Sequence, residues 1–129
     1  FAISERRVYV KKILIVDDAL FMRKMLRETL EKNGYEIIGE AENGIMGIEK
    51  YKELRPDLIT MDITMPQMDG INAIKAIHDF DPQAKIVVIS SMGQEYLIRE
   101  AITSGAKGFI IKPFKEKTVI ETISEILNY

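Results

Sequence analysis

The chain has 129 residues, which fits one domain and leaves little room for a second. Hydrophobic residues are 47% and charged residues 29%, a balance that buries a core and excludes a disordered chain. A net charge of -2 argues against direct nucleic-acid binding, and the lack of Cys excludes disulfides and thiolate metal sites.

The apolar runs, such as Ile13 to Val16 and Ile86 to Ile89, are far too short to span a membrane. No signal peptide is visible, so a cytoplasmic setting is expected. The chain opens on Phe1 rather than Met, which reads as a processed product, a tagged chain or an excised piece. Residues 1–10 are read as an N-terminal extension and 11–129 as the domain. Within the extension Ser4 to Arg7 is polar, and Val8 to Val10 could lengthen the first strand.

Ile13-Leu14-Ile15-Val16 is a continuous aliphatic run, the pattern of a strand buried on both faces, and it stops at Asp17-Asp18. Met22, Leu26 and Leu30, with Met25 beside them, recur at helical spacing until Asn33-Gly34 stops them. Glu36 to Ala41 reads as a second strand and about Ile45 to Leu54 as a short helix. Arg55-Pro56 breaks that helix, and Asp57 to Asp62 reads as a third strand.

Met65 to Gly70 is a turn, after which Ile71, Ile74 and Ile77 share one helical face. Lys85 to Ile89 is the fourth strand, ending at Ser90-Ser91. Leu97, Ile98, Ala101 and Ile102 mark the next helix, closed by Ser104-Gly105. Gly108 to Ile111 is the fifth strand, ending at Lys112-Pro113, and Val119, Ile120, Ile123, Ile126 and Leu127 line a last helix. Five strands alternating with five helices predict an α/β fold: a parallel sheet covered on both faces through right-handed crossovers.

The strands end on chemistry. Asp17-Asp18, Asp62, Ser90-Ser91 and Lys112 each close a strand, and in open α/β sheets ligands sit outside the carboxyl ends of the strands. Two unit charges 4 Å apart repel by about 4 kcal/mol at an effective dielectric of 20, so three carboxylates together demand protons or a cation. An all-oxygen set selects a hard cation such as Mg²⁺, which shares its shell with waters and phosphate. A Lys can pair with phosphate and a hydroxyl can donate to it, and one carboxylate could then serve as a nucleophile, giving an aspartyl phosphate.

Each residue also has a plainer role. Asp17 or Asp18 could N-cap the helix near Leu20, and Ser91 with Gln94 matches a capping box. Asp69 before Gly70 reads as turn and cap, too far along to join the pocket. His78 follows the inner-face Ile77 and reads as solvent-exposed. Most of the seven Met are expected to fill gaps in the core or between helices. Singly these readings compete; at successive strand ends they become improbable together.

The segments Ile13 to Asp18, Met61 to Gly70, Val88 to Ser91 and Gly108 to Phe114 resemble the receiver domain of two-component response regulators. The likeness runs from about Lys11 to the C-terminus. It implies a flavodoxin-like (βα)5 doubly wound sheet with strand order 2-1-3-4-5. It implies Asp62 as phosphoacceptor from a sensor histidine kinase, and Mg²⁺ bound directly by Asp18 and Asp62. Asp17 would contribute mainly through water and Thr64 through its backbone carbonyl. Ser90 would bond the phosphoryl group, Lys112 would pair with it, and Phe109 would be the aromatic switch residue that turns inward. A cis Lys112-Pro113 bond belongs to the same likeness. Helix four, strand five and helix five would form the output face. Thr64 and Met92 would border the pocket and tune the phosphoryl lifetime.

Asp17 to Arg23 is further similar to the stand-alone chemotaxis (CheY-type) members, whose target is the flagellar motor switch. The resemblance implies a kinase, a downstream target and a possible phosphatase as partners, with monomer as the default state. A receiver excised from a transcription factor is the alternative. The rival from another class is a phosphatase of the haloacid dehalogenase type, but that family carries Asp-x-Asp after the first strand. A flavodoxin would need a Ser/Thr/Gly-rich phosphate loop, and a P-loop NTPase its Gly-x-x-x-x-Gly-Lys-Ser/Thr; neither is present.

Overall fold

Aliphatic strands flanked by amphipathic helices leave few ways to bury both sheet faces, and the chain takes the doubly wound one. The computed structural model describes residues 9–65 and 68–128. The strands are β1 (Lys12–Val16), β2 (Glu36–Ala41), β3 (Leu58–Met61), β4 (Ile86–Ser90) and β5 (Gly108–Ile111). The helices are α1 (Leu20–Lys32), α2 (Gly44–Leu54), α3 (Gly70–Phe80), α4 (Glu95–Ser104) and α5 (Glu116–Leu127). All strand pairs are parallel, in the order β2-β1-β3-β4-β5, as the resemblance implies.

Alternation along the strands splits the core into two layers. Leu14, Val16, Ile59, Met61, Ile86 and Val88 pack with Ile71, Ile74 and Ile77 of α3 and Ala101 of α4. Ile13, Ile15, Leu58, Val87, Ile89 and Ile110 pack with Leu26 and Leu30 of α1 and Val119, Ile123 and Leu127 of α5. Of the α1 stripe read from the sequence, Leu26 and Leu30 are buried, Met22 is half-buried and Met25 is exposed. The Lys112-Pro113 bond is cis, as expected.

Some local expectations are corrected. Tyr9 and Val10 are exposed and do not lengthen β1, which begins at Lys12; the rest of the extension, Pro66, Gln67 and Tyr129 lie outside the described residues. The N-cap of α1 is Ala19, so neither Asp17 nor Asp18 caps that helix. The N-cap of α4 is Gln94, without a side-chain bond, so Ser91 forms no capping box. His78 is half-buried rather than exposed. It lies beside Gly105, where an added Cβ would come within 2.8 Å of its ring. Among the described residues its Nδ1 is buried without a hydrogen-bond partner. Asp69 does cap α3, accepting from the Asn72 amide at 2.9 Å.

Truncating a fully buried contact and an exposed one tests where burial carries the stability. Ile74→Ala should lower the unfolding free energy by about 3 kcal/mol, read as a lower urea midpoint at unchanged slope. Ile45→Ala, at an exposed position of α2, should change it by less than about 0.5 kcal/mol.

Candidate functional site

Neighbouring strands deliver the acids. β1 and β3 lie side by side with Val16 opposite Met61, so the residues that follow, Asp17 and Asp62, emerge together at the carboxyl edge. One carboxylate oxygen from each of Asp17, Asp18 and Asp62 lies within 4.8 Å of the others. Asp17 and Asp62 are buried, whereas Asp18 is exposed at the mouth. Three carboxylates converging with one side open to solvent suit a hard divalent cation that keeps part of its water shell.

Lys112 arrives from the end of β5. Its Nζ donates to Asp17 Oδ2 at 2.7 Å and stands 3.5 Å from Asp62 Oδ2. The tighter partner is therefore Asp17. The second Asp17 oxygen, Oδ1, accepts the Ala19 amide at 2.9 Å, so both its oxygens are engaged. Asp62 Oδ1 accepts from the Thr64 amide at 3.2 Å and the Thr64 hydroxyl at 3.3 Å. Behind Asp62 the start of α3 presses close. A Cβ at Gly70 would sit 2.1 Å from the Asp62 carbonyl oxygen, so only glycine fits there.

Ser90 closes β4, fully buried, and its Oγ accepts the Met92 amide at 3.1 Å. A hydroxyl that accepts in this way still has its proton to donate. The Ser90 carbonyl accepts the Lys112 amide at 2.8 Å, which ties the ends of β4 and β5. Phe109 pairs with Val88 across β4–β5 and packs, half-buried, against the α3–α4 side of the core. Thr64 and Met92 line a cavity of about 380 Å³ together with Asp69, Asn72 and Tyr96.

The sequence singled out Asp17, Asp18, Asp62, Thr64, Ser90 and Lys112, and the fold sets all of them at one edge of the sheet. It left the second ring of contacts without a role. Arg23 Nη1 donates to the Asp17 carbonyl at 2.7 Å, and its Nε pairs with Glu40 Oε1 at 3.0 Å. Arg27 holds the other Glu40 oxygen at 2.7 Å. The legible signal was position alone: Arg23 stands in the first turn of the helix that follows the acid pair.

Burial pushes the Asp62 carboxyl above the ordinary aspartate range; Lys112 and the Thr64 amide pull it down without reversing the shift. Between the unfolded value and the higher folded one, the native state holds a proton that the unfolded chain releases. Stability thus falls as pH rises through that window, and the charged form carries the cost above it. Without metal, Asp62→Asn should raise the urea midpoint at pH 7, and the gain should vanish below the ordinary aspartate value of about 3.9. A variant no more stable than the parent at pH 7 would mean the charge is fully compensated.

The family model of the response regulator receiver domain matches residues 13–124. The chain is 57% identical to chemotaxis protein CheY of Thermotoga maritima over 116 residues, 90% of this chain and 97% of that one. It is 56% identical to chemotaxis protein CheY of Bacillus subtilis, over 91% of this chain and 98% of the relative. Among solved structures, the CheX-CheY-BeF3-Mg²⁺ complex from Borrelia burgdorferi matches with a TM-score of 0.88 and 37% identity. That match covers 90% of this chain and 88% of the other. Receiver domains and CheY proteins are signalling proteins rather than classical enzymes. The chain belongs to the response regulator receiver domain family.

Proposed function

We propose that residues 11–129 form a phosphorylation-activated regulator in which Asp62 accepts a phosphoryl group from a phosphohistidine of a sensor kinase. The observation that carries this reading is the convergence of three carboxylates within 4.8 Å of one another, with Lys112 reaching both Asp17 and Asp62. A carboxylate oxygen of Asp62 attacks phosphorus as the bond from phosphorus to the histidine nitrogen breaks. A proton on the other ring nitrogen lets the histidine leave as a neutral imidazole, and Asp62 is left as an aspartyl phosphate. Mg²⁺ held by Asp18, Asp62 and the Thr64 carbonyl would neutralise charge on the transferring group. Asp17 would act on the ion through water; that its two oxygens are already taken by Lys112 and Ala19 supports the indirect role.

Lys112 then pairs with the phosphoryl oxygens and Ser90 donates its hydroxyl to them. Phe109 follows Ser90 inward, and the equilibrium between two packings shifts toward the active one. The output face is α4, β5 and α5, where Tyr96, Ile102 and Ile111 stand exposed. Its target is a protein of chemotaxis, the flagellar motor switch being the foremost. The complex of the Borrelia relative with CheX, BeF3 and Mg²⁺ supports a protein partner, and a phosphatase is among the partners expected. No direct contact with nucleic acid or membrane belongs to this reading. Among the described residues no helix is long and apolar enough to cross a membrane. The working form is a monomer in the cytoplasm. A receiver taken from a larger regulator would use the same face to dimerise or to release an output domain.

The parent should take up one equivalent of label from a small phosphodonor in the presence of Mg²⁺, and Asp62→Asn none. Many turnovers per chain would instead favour the dehalogenase-type phosphatase. Asp18→Ala should weaken Mg²⁺ binding at least tenfold by calorimetry; an unchanged titration would remove Asp18 from the metal. For the switch, Ser90→Ala and Phe109→Ala should each take label at Asp62 yet shrink the gain in partner affinity on phosphorylation. An undiminished gain in both would sink the proposed coupling.

A further inference from the structure

Asp17 is pinned at every polar atom. Its amide donates to the Ala41 carbonyl at 3.0 Å, its carboxylate is held by Ala19 and Lys112, and its carbonyl accepts Arg23 Nη1 at 2.7 Å. Asp18 is the opposite case. Among the described residues its exposed carboxylate has no hydrogen-bond or ion-pair partner, although it lies within the acid cluster. What aims Asp18 is therefore its backbone. A peptide unit is planar, so anchoring the Asp17 carbonyl also fixes the Asp18 nitrogen and the axis about which that residue turns.

We propose that Arg23 is a positioning residue for the acid pair, holding the Asp17-Asp18 peptide so that the Asp18 carboxylate faces the cation. The inference rests on the Mg²⁺ reading above. Arg23 is well placed for the task. Its side chain is only 12% exposed, and its guanidinium is oriented by Glu40, which Arg27 grips from the other side. Lys50 Nζ also bonds the Glu40 backbone carbonyl, tying α2 to the same strand. Glu40 offsets the positive charge that Arg23 would otherwise bring beside a cation site. Arg23 touches neither the metal nor the phosphoryl group in this account; it acts through one peptide.

Calorimetric titration with MgCl₂ separates the roles. Arg23→Ala should raise the Mg²⁺ dissociation constant about tenfold, as loss of a contact that orients a metal ligand does. Arg27→Ala removes the other half of the Glu40 clamp but leaves the peptide contact, and should stay within about twofold of the parent. Arg23→Lys, with a single donor head, should recover part of the loss. Phosphorylation of Arg23→Ala by a small phosphodonor should return to the parent rate at saturating Mg²⁺, a split that general destabilisation would not produce. Arg23→Met, which keeps the apolar stem, carries the same expectation where Arg23→Ala does not fold. Equal Mg²⁺ affinity in the parent and the Arg23 variants would overturn the inference, as would an equal loss in Arg27→Ala. A parent that binds no Mg²⁺ would overturn the metal reading itself.

Discussion

Repulsion among three carboxylates is the constraint around which this molecule is arranged. Strand order puts Asp17, Asp18 and Asp62 at one rim, within 4.8 Å of one another, and one lysine is the only cation paired with them among the described residues. At an effective dielectric of 20, each close pair of like charges costs about 4 kcal/mol, which no surface hydrogen bond offsets. The fold tolerates the assembly because the two core layers behind it are apolar and continuous, and the strands cannot splay without opening both. The rim therefore holds an electrostatic deficit, and a cation or a proton is what relieves it.

The deficit is unevenly distributed, and that sets the division of labour. Asp17 has Lys112 at 2.7 Å and a backbone amide at 2.9 Å, so much of its charge is answered within the chain. Asp62 has the lysine only at 3.5 Å and two longer bonds from Thr64, at 3.2 and 3.3 Å, and burial still raises its pKa. The least compensated buried carboxylate is thus the one proposed as nucleophile, and the exposed one, Asp18, is the one free to reach an ion. Charge that stays unsatisfied in the ground state is available for reaction.

The strand ends were legible because each apolar run stops abruptly at a residue that cannot continue it. Val16 gives way to Asp17, Met61 to Asp62 and Ile111 to Lys112, and the fold follows those breaks. The lapses were local patterns overruled by tertiary contacts. Ser91 and Gln94 have capping-box spacing, yet the bond to a following amide is made by Ser90 to Met92, before the helix starts. Asp17 likewise bonds Ala19 as part of the rim and does not cap α1. His78 was misplaced because one residue past an inner-face Ile still falls under Gly105, where the missing side chain leaves room for a ring. Arg23 stayed silent because its partner is a backbone carbonyl, and no sequence pattern marks which carbonyl an arginine will find.

The same ledger indicates which way the proposed switch leans. Ser90 spends its acceptor on the neutral Met92 amide, a bond whose net worth is about 1 kcal/mol. A hydrogen bond to a charged phosphoryl oxygen is worth roughly 1.5–3 kcal/mol, and since the Met92 contact leaves the Ser90 proton unused, Ser90 could donate it without giving that contact up. The ends of β4 and β5 are coupled by the Lys112 amide on the Ser90 carbonyl, and β5 carries Phe109 and the exposed Ile111 three and one residues before that lysine. A displacement of Ser90 would thereby reach the strand that lines the proposed output face. In the proposed switch, a bond of roughly 1.5–3 kcal/mol would shift the population about tenfold to a hundredfold toward the packing that makes it.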